Sequence, residues 1–266
     1  MGEGRARELS ATFEVADDLL WQAVAGRLSN VGSLSISRSG RIGPLVEMAI
    51  AVNAFPGPYE SVRFEPPVVQ QIFDALRKGQ ISGAGARDRA GVFPLSRYDP
   101  AAEGQVLWDQ WAKHAENAAV AAGLAKSLVA GLMGALGELQ DNVYEHSSRA
   151  ETGLVAYAAG PGSFEFVVAD AGVGVLTSLR QNPEFAGLRD SGEALRAAAS
   201  DGASRYARSI GRGHGIGRLF RALAHDTAEL RFRSGDHAMR LWGDAPSLTG
   251  QVAVSYTHLR AHETGR

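Results

Sequence analysis

Apolar residues recur every four positions between residues 123 and 147: Leu124, Leu128, Leu132 and Leu136, with Val129, Met133 and Val143 beside them. That spacing predicts a helix packed along one stripe. A second helix is expected just before it, over roughly residues 101–122, where Trp108 and Trp111 would pack or form an interface. Further along the period changes to two. Residues 164–169 (FEFVVA) are β-branched and aromatic, with glycines at 160 and 162 before them and at 172 and 174 after, and read as a strand. In residues 228–233 (AELRFR), Leu230 and Phe232 alternate with Glu229, Arg231 and Arg233; in residues 238–242, Met239 and Leu241 alternate with Arg240. Joined by Ser234-Gly235-Asp236, these runs predict a hairpin with one buried face and one charged face. A last strand is expected from near Gln251.

The first hundred residues are less periodic. Residues 17–28 suit a helix, 34–36 a short strand, and 44–51 are apolar; residues 67–77 (PVVQQIFDALR) put Val68, Ile72 and Leu76 on one side of a helix. Residues 78–99 include GQISGAGARDRAG, rich in Gly, Ser and Arg, and mark the expected boundary. The organisation expected is a small N-terminal α/β region over 1–100 for input or partner binding, a main domain over 101–254, and a tail over 255–266. The run VSYTHLRAHET (254–264) resembles a translated sequencing adapter. The tail is therefore set aside as non-native. The last strand would then be lost in part and the sheet edge weakened.

Three polar segments stand out against this scaffold. On the helix of residues 123–147, Glu138 lies about 200° round from Leu136, away from the stripe, and Asn142 and His146 follow it on the same edge. A carboxylate can orient or deprotonate a water or hydroxyl, and an amide oxygen suits Mg2+ alongside phosphate oxygens. Asp170 follows the strand of 164–169, at the end where open α/β sheets place ligands, and can accept a hydrogen bond from an exocyclic amine; Gly172 and Gly174 allow close backbone approach. In GRGHGIG, Gly211, Gly213, Gly215 and Gly217 run into a helix over 218–225, with Arg212 among them. Such a turn exposes N–H groups to an anion. Neither the dinucleotide fingerprint nor the Walker loop is present. Taken singly, the helix edge is ordinarily a solvated face and the strand end an ordinary turn, whereas strict alternation of four glycines speaks against a mere flexible linker.

Together and in this order, ELQDNVYEHS (138–147), DAGVG (170–174) and GRGHGIG (211–217) resemble the N box and two glycine boxes of the GHKL ATPases, the superfamily of gyrase, heat-shock chaperone, histidine kinase and mismatch-repair ATPases. The likeness covers roughly residues 121–254 and is nearest to the histidine-kinase-like and anti-sigma-factor-kinase-like branch. It implies an α+β two-layer sandwich of the Bergerat type, with a mixed, mostly antiparallel sheet and helices on one face. It also implies ATP and Mg2+ as ligands. Glu138 would be the catalytic or water-orienting glutamate, Asn142 the Mg2+ ligand, His146 a phosphate-facing residue and Asp170 the adenine reader. Gly172 and Gly174 would shape the pocket; Gly211, Arg212, Gly213, Gly215 and Gly217 would bind phosphate at the end of a lid over 175–210. The Gly-Thr pair that often opens the last strand of relatives is Gly250-Gln251 here.

Composition narrows the partners. Against 27 basic residues stand 29 acidic ones, a net charge of −2, so bulk charge does not suggest nucleic-acid binding. There is no cysteine, which excludes disulfides and thiol catalysis and accords with a cytoplasmic location. No signal peptide or long apolar run suggests a membrane. His114 lies only 24 residues before Glu138, too close for a phosphoacceptor on a dimerising helical hairpin. Two functions are expected. One is an ATPase or protein kinase in bacterial signalling, transferring the γ-phosphate to water or a protein hydroxyl. The other is a nucleotide-controlled partner-binding module with little turnover. Either would engage a regulatory protein, and a homodimer is an assembly the chain could form.

Overall fold

A computed structural model describes residues 7–28, 33–85, 87–199, 229–241 and 253–258. The architecture is mixed α+β, with two sheets. The smaller is parallel, in the order β1 (Arg7–Ala11), β2 (Leu34–Ser39), β3 (Val62–Phe64). Helices α1 (Phe13–Val24) and α2 (Gly43–Ala54) connect its strands, and α3 (Pro67–Lys78) leads out of it. The larger sheet has six strands, ordered β4 (Ala90–Pro94), β5 (Leu154–Gly160), β6 (Ser163–Asp170), β9 (Ala253–His258), β7 (Glu229–Ser234), β8 (His237–Leu241). The pairs β6·β9 and β9·β7 are parallel and the other three antiparallel. Among the described residues no helix is long and apolar enough to cross a membrane.

Helices α4 (Glu103–Ala121) and α5 (Lys126–His146) cover one face of the larger sheet, joined there by α6 (Gly174–Leu179) and α7 (Ser191–Ala199). Trp108 and Trp111 of α4 stack on each other and pack on Phe93 of β4. The buried seam of α5 is Val129, Leu132, Leu136, Leu139 and Val143, while Leu124, Leu128 and Met133 lie at its margin. Leu124 precedes the helix, and a step of four residues overshoots a turn, so Leu128 and Leu136 are about 80° apart and do not share one seam.

The opposite face is covered too, which corrects the expectation of helices on one face. Leu154, Ala156, Val167 and Ala169 point from it into a second core with α2. The alanines leave room for a helix that is buried continuously over residues 43–51. Strands buried on both faces carry apolar residues at both parities, as in LVAY of β5 and FVVA of β6. The charged face of β7 is likewise buried: Arg231 and Arg233 pair there with Glu47 of α2 and Asp17 of α1. Two further placements refine the sequence reading. Within the segment 78–99, β4 belongs to the larger sheet, which thus reaches back before residue 101. Residues 255–258, set aside as tail, lie in β9, an interior strand and not an edge.

Glu165 fixes α2 to β6. Its two carboxylate oxygens accept the Ile42 and Gly43 N–H groups, each at 2.9 Å, at the N-terminus of α2. Burial nonetheless pushes its carboxyl up to about 7, against the pull of these N–H groups and of Arg41, with Glu229 adding to the rise. The ordinary value is 4.5, so between pH 4.5 and about 7 the unfolded chain releases a proton that the folded chain keeps. Stability therefore falls as pH rises through this window, by up to about 3 kcal/mol from this group. Urea denaturation at about pH 5 and pH 8 should show that fall in the unaltered protein and a flatter profile in Glu165→Gln. Parallel profiles would remove Glu165 as the source.

Candidate functional site

The site is built where α5 ends against the tip of β6. Along α5, Glu138 is exposed and Asn142 and His146 are half-buried, all on one edge. The helix stops at Ser147, whose carbonyl accepts the Val173 N–H at 2.9 Å. Gly172 must be glycine, because a Cβ there would stand 2.3 Å from that carbonyl. Asp170 closes β6 with 0% exposure, on the same face as Phe166 and Val168 and so toward α5. Its Oδ1 accepts the Gly172 N–H at 2.7 Å.

The loop after Asp170 is held from three other elements. Ala171 N–H donates to Thr152 Oγ1 at 3.0 Å, Val173 N–H to Ser147, and Val175 N–H to Ser234 Oγ at 3.0 Å. Gly174 takes φ +75°, a left-handed conformation suited to glycine, as the chain enters α6. Asp170 and Ser234 are both aligned with His258 of β9. The carboxyl ends of three parallel strands thus meet at one edge, the position from which open α/β sheets bind ligands.

The lid expectation changes in part. Val175, Leu179, Ala194, Leu195 and Ala198 are buried in the core, so the part of the expected lid that α6 and α7 form is packed against the sheet. Arg180 donates to the Leu188 carbonyl, and Arg189 pairs with Glu193. Gly211, Arg212, Gly213, Gly215 and Gly217 lie outside the described residues, as does the expected helix of 218–225. A cavity of about 430 Å3 lies on the other face of the sheet, lined by Arg41, Leu45, Val68, Ala158 and Glu165 among others. Of the expected site residues that are described, none lines it. Its walls belong to the contact between the N-terminal region and the β5–β6 hairpin.

Searches of protein-family models, curated proteins and solved structures return no match to the chain. Among the described residues no group of three or more His, Asp or Glu could hold a metal by itself. Asn142 offers one amide oxygen on a half-exposed edge. Such a donor suits Mg2+ that arrives with phosphate oxygens rather than one bound in an all-protein cage. The buried Asp170 suits a ligand that donates a hydrogen bond.

Sequence reasoning did not single out Ser147, Thr152 or Ser234, which hold the loop. Ser147 closes the ELQDNVYEHS segment, and Ser234 opens the turn between two strands. Small hydroxyl residues at element ends commonly bond to backbone, and that is the one signal they carry.

Proposed function

We propose that the chain binds ATP with Mg2+ between α5, the tip of β6 and the glycine run, as a GHKL-type protein of the histidine-kinase-like branch. The observation that carries this is the wholly buried Asp170 carboxylate at a strand tip, facing α5 and braced by Gly172. The mixed, mainly antiparallel six-stranded sheet with α4 and α5 on one face supports a Bergerat-type arrangement, to which the N-terminal region adds a layer. Asp170 would accept the exocyclic amine of adenine, and Asn142 would lend its amide oxygen to the cation. His146 would face phosphate, and Gly172 and Gly174 would bring backbone close to the base. Bound ATP supplies the transferable phosphoryl group. Glu138 would orient the attacking water or protein hydroxyl and take its proton, so that catalysis is mainly positioning and charge neutralisation.

Calorimetric titration with a non-hydrolysable ATP analogue tests the reading: binding is expected with magnesium and weaker binding without it. Absence of binding in both conditions would refute it. Glu138→Ala should retain affinity for the analogue and slow phosphate release at least about a hundredfold, the usual contribution of a positioned base. Equal slow release from both proteins would instead favour a nucleotide-controlled partner-binding module. The direct packing of the N-terminal region on β7 and β6 is the observation that favours such a module, since partner and nucleotide would then bias one connected body.

A further inference from the structure

We propose that Ser234 is a positioning residue for the nucleotide loop, an inference that rests on the reading above. Ser234 ends β7 and is 1% exposed. Its Oγ accepts the Val175 N–H at 3.0 Å and stands close enough to Gly174 that a Cβ there would lie 3.1 Å from it. The other anchors of residues 171–175 come from the α5–β5 side, through Ser147 and Thr152, and from Asp170 itself. Among the described residues, Ser234 is the anchor that reaches the loop from β7.

This places the hydroxyl where it sets the exit of the loop. Val175 begins the segment that runs through α6 into α7, so the direction taken at Val175 governs how both helices leave the loop. The strand that delivers the hydroxyl is itself fixed from its other face, where Glu47 and Asp17 hold Arg231 and Arg233. A supporting group on a rigid strand, locked by its own contacts, keeps a binding loop in one geometry before ligand arrives. Without the hydroxyl the buried Val175 N–H loses this acceptor, and the loop is free to turn outward to find another.

The test compares Ser234→Ala and Ser234→Thr with the unaltered protein, using a fluorescent non-hydrolysable ATP analogue with magnesium, amide exchange at Val175, and thermal melting. Ser234→Ala should weaken binding about tenfold and speed Val175 exchange, the effect of one lost buried hydrogen bond. Ser234→Thr, which keeps the hydroxyl, should restore both. Should Ser234→Ala fail to fold, Ser234→Cys, close in size but a weak acceptor, carries the same expectation. The proposal is overturned if the alanine variant melts lower yet binds with unaltered affinity, or if the threonine variant binds no better than alanine. Failure of the nucleotide reading looks different: the unaltered protein itself then does not bind the analogue, and the role of Ser234 falls with it.

Discussion

Asp170→Asn is expected to weaken ATP binding at least about a hundredfold, because a buried site built around one hydrogen bond strongly rejects its loss. The native carboxylate has only acceptors. The amide that replaces it retains one oxygen, and the Gly172 N–H, 2.7 Å from Oδ1 in the unaltered protein, will claim that oxygen. The amide nitrogen then faces the ligand as a donor, and the exocyclic amine of adenine is also a donor. The same logic gives a positive control. Inosine triphosphate carries an oxygen in place of that amine, so it should be disfavoured by the unaltered protein and relatively preferred by the variant. Titration of both nucleotides against both proteins checks this, with thermal melting to confirm folding. If Asp170→Asn binds ATP as the unaltered protein does, Asp170 is not the base reader and the proposed site is wrong at its centre.

The outcome for each element shows where sequence pattern is informative. The existence and bounds of regular elements were legible: α5, β6 and the β7–β8 hairpin lie within a few residues of their expected positions. Glu138, Asn142 and His146 do share an edge, because helical geometry alone dictates it. Less legible was what covers each face of these elements. The run GPLVEMAIAVNA of α2 is apolar but for Glu47 and Asn53, and without a polar stripe nothing says which neighbour it faces. Covering of the second sheet face was therefore missed, although the apolar residues at both parities of LVAY and FVVA record it. The anchors Ser147, Thr152 and Ser234 act through backbone N–H groups distant in sequence, and no local pattern encodes such pairings. The alternation in AELRFR was read correctly as two faces. What it does not reveal is that the charged face turns inward, since that depends on a carboxylate 184 residues away.

That carboxylate carries the largest expected effect on stability. Glu47 is the one charged residue in α2 and is 4% exposed. Its Oε1 accepts Arg231 Nε at 2.8 Å, and its Oε2 accepts Arg231 Nη2 at 3.2 Å and Arg233 Nε at 3.3 Å. Asp17, partly exposed, pairs with both arginines, and the Arg231 guanidinium lies 4.5 Å from the centre of the Phe13 ring. Burial pulls Arg233 down to about 10, so it remains charged at neutral pH. Glu47→Ala therefore leaves two desolvated cations with one carboxylate at the rim, and should destabilise the fold by about 3–5 kcal/mol. Most of that loss is the cost of stranded charge and not the worth of the pairs. Glu47→Leu combined with Arg231→Met and Arg233→Met should accordingly recover much of it, since a well-packed apolar cluster replaces a buried ion network at little net cost. Urea denaturation of the single and triple variants decides the matter. A single variant within about 1 kcal/mol of the unaltered protein would mean that water or Asp17 satisfies both arginines, and that the N-terminal region is held to β7 by its apolar contacts alone.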